Sequence, residues 1–152
     1  MNFSSHDYLD TLKEAVGSGR ECSMLITGNS MQPFLLHGRD TIYFRAPKTK
    51  LKRGDMVFFQ RENGQYVMHR LKKITDEGYY FIGDNQTEIE GPVSPSRVFA
   101  IVYQVKRKGR ILGPKSFWWI FFRTFWLRII PLRPFFIKCF RRLSSGRSRQ
   151  EG

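Results

Sequence analysis

The stretch MVFFQRENGQYVMHRLKKI, residues 56–74, decides the fold. Two runs rich in β-formers, Met56–Gln60 and Tyr66–Ile74, flank Glu62-Asn63-Gly64. An Asn-Gly pair between two such runs is a strong hairpin signal, because a tight hairpin turn needs φ > 0 and these residues reach it cheaply. Period two along the second run groups His69 with Val67 and Leu71, and sets Met68 and Arg70 on the opposite face.

Working outward, the same pattern recurs. Ser23–Thr27 is an apolar run ended by Gly28. Thr41–Arg45 follows Gly38-Arg39-Asp40, and Arg53-Gly54-Asp55 opens Met56–Gln60. Asp76-Glu77-Gly78 turns the chain into Tyr79–Ile82, and Val98–Val105 closes the series. Six strands at even spacing, with no helical pattern between them, predict a mainly β domain: a compact coiled sheet or partial barrel. Ahead of them, Tyr8, Leu9, Leu12, Ala15 and Val16 recur at helical spacing behind Ser5 as N-cap, and Gly17 and Gly19 stop the pattern. A short amphipathic helix over about residues 6–16 follows. No apolar run follows Met1, so no secretory signal is expected.

The whole chain has 152 residues, the size of one domain with a real core. Its net charge of +13 is unevenly placed. Residues 1–100 carry 13 Lys/Arg against 12 Asp/Glu; residues 101–152 carry 13 Lys/Arg against Glu151 alone. All three Trp and seven of fourteen Phe fall between Phe117 and Phe140. The expected organisation is a helix and lead-in over 1–20, a β domain over 21–110, an aromatic and basic tail over 111–143, and a disordered end over 144–152.

Arg123, Arg128, Arg133 and Lys138 interrupt that tail every five residues. Each cation costs about 2.5–3.5 kcal/mol at a bilayer centre, so the tail does not read as a span. Aromatic rings beside cations suit the headgroup region instead. The tail reads as two short helices broken at Pro131–Pro134 and lying in a membrane interface, with Trp118, Trp119, Phe122, Arg123, Trp126 and Arg128 as contacts. The competing reading packs Trp118, Phe122, Phe125 and Trp126 on the β domain. Basic tails that bind nucleic acid are more often polar and rich in Gly and Ser, so nucleic acid is disfavoured as a partner.

Three local stretches hold side chains that could do chemistry: Gly28–Pro33, Tyr66–Arg70 and Gly83–Glu90. Ser30 stands where a strand ends, and a lone serine there most often bonds its own backbone. His69 lies mid-strand on an apolar face, where a satisfied core histidine is the commoner case; yet desolvation also keeps an imidazole neutral, as a general base requires. Asp84 in Gly83-Asp84-Asn85 and Glu90 before Gly91 fit ordinary turn chemistry. His6, His37 and His69 lack ligand spacing, so no metal or other cofactor is expected.

Taken in order, four motifs resemble the superfamily of type I signal peptidases and self-cleaving repressors: S-M-x-P at Ser30–Pro33 with the G-R-D turn, K-R-G-D at Lys52–Asp55, H-R at His69–Arg70 and G-D-N at Gly83–Asn85. The closest branch is the Ser-His one, the endoplasmic-reticulum and archaeal signal peptidases. The resemblance runs from about Leu25 to Val102. It implies Ser30 as nucleophile and His69 as general base, in the place where other branches use a lysine. It implies Glu90, six residues after Asp84, as the acid that orients His69, with Asp84 as second choice. It also implies the Ser30 backbone N–H as oxyanion donor, with Asn29 beside it. Position 28 is glycine where many signal peptidases carry a serine. Lys72 and Lys73 follow His69 closely, but His69 fills the matched slot.

The function this implies is a membrane-associated serine endopeptidase that cuts leader, signal or precursor peptides laid as an extended strand beside Ser30. With the tail as a peripheral or monotopic anchor, the expected location is the cytoplasmic face of a bacterial cell membrane. Two other readings stand beside it: a non-enzymatic membrane-binding module and a self-cleaving regulator.

Overall fold

The computed structural model describes residues 5–147. Helix α1 (Ser5–Gly17) precedes eight strands: β1 (Cys22–Leu25), β2 (Asp40–Arg45), β3 (Met56–Gln60), β4 (Tyr66–Thr75), β5 (Gly78–Ile82), β6 (Glu90–Val93), β7 (Val98–Arg107) and β8 (Arg110–Leu112). Helices α2 (Phe117–Arg123) and α3 (Arg133–Arg147) follow, with a 3-10 turn at Ile130–Leu132 between them. The strands form one open antiparallel sheet in the order β1-β2-β7-β3-β4-β5-β6, and β8 pairs with β7. The fold is mainly β, as the periodicity predicts.

All six expected strands form, and β6 and β8 are additional. The sequence of β6, Glu-Gly-Pro-Val, carries two strand breakers. It is tolerated because, among the described residues, β6 is the last strand of the sheet and bonded only to β5, where proline's missing N–H faces no partner. A Lys108-Gly109 turn joins β7 to β8, with φ of 49° and 78°, the hairpin conformation that asks for two positive φ values. Ser5 is the first residue of α1 and not its cap.

The central strand β3 is buried on both faces. Met56 and Phe58 enter a cluster with Phe34, Ile42, Phe44 and Val102; Val57 and Phe59 enter a second with Leu71 and Phe81. Helix α1 adds Val16 to the first cluster, and its Lys13 Nζ donates to Gln60 Oε1 at 2.9 Å.

The C-terminal segment corrects the expected membrane contacts. Trp119, Phe122 and Trp126 are core residues, all buried in the first cluster. Phe34 meets the Trp119 ring edge-on at 5.8 Å and the Phe122 ring at 5.0 Å. Arg123 is half-buried, and a Cβ at Gly54 would lie 2.3 Å from its Cγ, so α2 closes on the one residue type that admits it. Trp118, Phe125 and Arg128 face solvent. Packing on the β domain therefore holds for Phe122 and Trp126 but not for Trp118 and Phe125.

The two helices are separated over residues 124–132, a stretch that ends in the 3-10 turn containing Pro131, while Pro134 lies inside α3. Pro131 and Pro134 sit in the first turns of the elements they belong to, where a missing N–H costs no helical bond. Helix α3 also continues through Arg147, past the expected start of a disordered end at 144; residues 148–152 lie outside the described chain. No described helix is long and apolar enough to cross a membrane.

Candidate active site

Ser30 follows β1 on a loop that hydrogen bonds hold in place. Ile26 N–H donates to the Asp40 carbonyl at 2.8 Å, and Gly38 N–H donates to the Ile26 carbonyl at 2.9 Å. Gly28, with φ of 84°, turns the chain and donates its N–H to His37 Nδ1 at 3.1 Å. Asp40 is fully buried and accepts from Arg39, Arg107 and the Leu36 N–H, which anchors the far end of the loop. Ser30 is left exposed at the start of the turn. Beside it, Asn29 Oδ1 accepts from Gln32 Nε2 at 2.8 Å, so its amide protons remain to donate.

The Gly83-Asp84-Asn85 turn holds Ser30 from behind. Asn85 N–H donates to the Ser30 carbonyl at 2.9 Å. A Cβ at Gly83 would lie 2.6 Å from that same carbonyl oxygen, so the approach needs a glycine. The turn is in turn held by the C-terminal segment. Arg133, fully buried, donates to the carbonyls of Gly83 at 3.0 Å, Gln86 at 2.9 Å and Trp126 at 2.9 Å, and Trp126 Nε1 donates to the Asp84 carbonyl at 2.8 Å.

Strand β4 places His69 opposite Val57, with its ring edge-on to Phe59 at 6.3 Å. Only 3% of the residue is exposed, and Nδ1 is buried with no hydrogen-bond partner among the described residues. Burial pushes the imidazole from its ordinary 6.5 down to about 4; the Glu90 carboxylate pulls it up and the Arg61 guanidinium pushes it further down. His69 is therefore a neutral base across the physiological range. Ser30 and His69 line one cleft of about 320 Å³, together with Met24, Ile26, Met68 and Gln86. No direct hydrogen bond joins them among the described residues.

The two candidate acids have different surroundings. Asp84 is fully buried, and both its oxygens accept from Arg70, Nε at 2.9 Å and Nη2 at 2.8 Å. Arg70 also donates to the Gly54 carbonyl at 2.9 Å, so Asp84 ties the H-R, K-R-G-D and G-D-N motifs together. Both oxygens of its carboxylate are committed to Arg70. Glu90, on β6 opposite Phe81, acts on His69 through its charge, while both its oxygens accept from Arg61 at 2.5 and 2.8 Å. Neither neighbouring lysine lines the cleft: Lys72 Nζ donates to the Leu127 carbonyl, and Lys73 Nζ lies 5.9 Å from the Tyr80 ring centre.

Arg61 and Arg133 are the site residues that sequence reasoning missed. Arg61 lies between the expected strand Met56–Gln60 and the Glu62-Asn63-Gly64 turn, a place that carries no sign of its pairing with Glu90. Arg133 counted as one more cation in an apolar tail, yet a cation between Pro131 and Pro134 with apolar neighbours on both sides had to find acceptors if the segment packed. The structure also gathers His6, Asp7 and Asp10, with one possible ligand atom from each within 4.8 Å of the others, at the start of α1. Asp10 there already accepts from Tyr66 Oη and pairs with His6.

These features define a β-sheet protein that presents an exposed serine and a desolvated imidazole in one cleft. The chain belongs to the Peptidase S24-like family, whose sequence profile matches residues 2–105. The match ends before β8 and the two C-terminal helices. No curated protein matches the chain. Family membership agrees with the resemblance drawn from the motifs, at the level of the superfamily, and supports a serine peptidase or a self-cleaving regulator.

Proposed function

We propose that the chain is a serine endopeptidase of the Ser-His type, membrane-associated and acting on leader, signal or precursor peptides. In this reading Ser30 Oγ attacks the scissile carbonyl while His69 Nε2 takes its proton. The Ser30 backbone N–H and Asn29 bind the oxyanion, and His69 then protonates the leaving amine. Water, activated by the same imidazole, hydrolyses the acyl-enzyme and regenerates Ser30. Glu90 is the acid that holds the imidazolium, and Asp84 is structural.

The observation that carries the reading is the shared cleft: an exposed serine and a histidine that burial keeps neutral, with no lysine among the residues lining it. Support for an extended substrate comes from β1, which ends the sheet and, among the described residues, is bonded only to β2, just ahead of Ser30. A free edge of this kind accepts a peptide as an added strand.

The test is cleavage of a peptide library by the full-length protein in lipid, read by mass spectrometry beside Ser30→Ala and His69→Ala. Each variant should lose at least about 10³-fold in kcat/KM. Cleavage that survives in Ser30→Ala would exclude this nucleophile. The intact mass of the wild-type chain, followed over the same period, separates peptide turnover from self-cleavage.

A further inference from the structure

The outward side of the C-terminal helices is apolar without being covered. Phe117 is 71% exposed, Trp118 51%, Phe135 66% and Leu143 75%. These rings are not scattered. Ring contacts run from Phe117 to Phe121 at 6.3 Å, on to Trp126 at 6.4 Å, to Phe136 at 6.3 Å and to Phe135 at 5.6 Å. The chain of rings thus crosses from α2 to α3 through Trp126, whose own side chain is core. On α3, Phe135, Cys139 and Leu143 recur every four residues and form one stripe.

Cations border the stripe. Lys138 and Arg142 stand three residues after Phe135 and Cys139, on its edge, and both are exposed. Lys138, Arg141 and Arg142 also line an open cleft of about 910 Å³ against Asn85 and Thr87. Exposed Arg128 adds a further charge between the helices. No acid stands between Glu90 and Glu151, so nothing in this part of the chain balances them.

We propose that this face docks on the surface of an anionic lipid bilayer, with α2 and α3 lying in the interface. The rings would enter the boundary between headgroups and acyl chains, and the lysine and arginine heads would reach the lipid phosphates. A span is not available, since no described helix is long and apolar enough. A second copy of the chain is the weaker occupant. It would bring the same uncompensated cations to the contact, on a chain of net charge +13. The proposal deepens the membrane-associated part of the functional reading and rests on that part, not on the peptidase chemistry. It replaces Trp119, Phe122 and Trp126, which the core holds, with Phe117, Phe135 and Leu143 beside Trp118 as the contact residues.

Full-length protein is sedimented with phosphatidylcholine vesicles, with and without phosphatidylglycerol, at low and high salt. Binding should require the anionic lipid and weaken with salt. It should fall at least about tenfold in the Phe117→Ser, Phe135→Ser, Leu143→Ser triple variant, whose unfolding midpoint should not change because these side chains are exposed. Lipid should shift tryptophan emission to the blue, and Trp118→Phe should bind yet abolish the shift, since Trp119 and Trp126 are buried already. Absence of binding to either vesicle, or binding that the triple variant leaves intact, overturns the proposal. So does a dimer in the absence of lipid that the triple variant abolishes. Peptide cleavage by a chain that binds no lipid sinks this inference and leaves the peptidase standing; lipid binding by a chain that cleaves nothing does the reverse.

Discussion

Arg133 Nη1 donates to the carbonyl of Gly83 at 3.0 Å, a bond that joins the last helix to the turn holding Ser30. Among the described residues no carboxylate bonds to the guanidinium, although the Asp84 charge reaches it; its direct partners are the carbonyls of Gly83, Gln86 and Trp126. Burial lowers its affinity for the proton, and it stays charged at neutral pH. Arg133→Met should therefore leave buried carbonyls unpaired and lower the unfolding free energy by about 3 kcal/mol or more. Urea denaturation measures this as a lower midpoint at unchanged slope. Arg133→Lys, which keeps the charge without the fork of donors, should recover only part of the loss.

The backbone of Ser30 is set by the same turn at closer range. A Cβ on Gly83 would sit 2.6 Å from the Ser30 carbonyl oxygen, with Gln86 Oε1 at 2.9 Å on another side. Gly83→Ala must then push the serine loop outward. A shift of about 1 Å in a nucleophile costs on the order of 10²-fold in rate. The expected outcome is a kcat/KM lowered by that factor while the sheet, read by circular dichroism, is unchanged. Full activity in Gly83→Ala would show that the Ser30 backbone does not need this contact.

What could be read from the chain depended on how local the determinant was. The β3–β4 hairpin carries its own turn chemistry in Asn63-Gly64, and β2, β5 and β7 each begin beside a glycine, an acid or a proline-bounded turn. Strand β6 was hidden because Gly91 and Pro92 argue against a strand unless it is known to lie at an edge, a property of the whole sheet. The tail was legible as helical and aromatic, but rings occur on every side of it. Which of them face the core follows only from the position of Phe34 and Gly54. At the site, Ser30 and His69 could be named from short motifs, whereas Arg70–Asp84 and Arg133–Gly83 join residues 14 and 50 positions apart, and no spacing rule reports such partners.

Asp84 and Glu90 should separate cleanly under substitution. Asp84→Asn leaves Arg70 charged, fully buried and without its carboxylate, which should cost about 3–5 kcal/mol of stability. The Arg61–Glu90 pair is about one-third exposed on both sides, so Glu90→Gln should cost no more than about 1 kcal/mol. Activity should rank the other way once stability is allowed for. Glu90→Gln should lower kcat, and Asp84→Asn, assayed well below its own unfolding midpoint, should keep a larger share of it. Equal kcat in Glu90→Gln and wild type would remove Glu90 from the proposed catalytic set.

The pH dependence follows from His69 with a definite sign. Its proton affinity is lower in the folded state, about 4 against an ordinary 6.5, so between those values the unfolded chain binds more protons than the native one. Stability from this group is complete above pH 6.5 and is lost as the pH falls towards 4, by on the order of 3 kcal/mol in all. His69→Phe should flatten that part of the stability curve. For catalysis the same shift keeps the base neutral in mild acid, so the acid limb of kcat/KM should fall near pH 4 and not near 6.5. The pair beside the ring then moves that limb in opposite directions. Arg61→Met removes a charge that pushes the imidazole down and should raise the limb; Glu90→Gln removes the charge that pulls it up and should lower it. A pH–rate profile for each variant decides the matter, and limbs that move together would show that the charges at Arg61 and Glu90 do not reach His69.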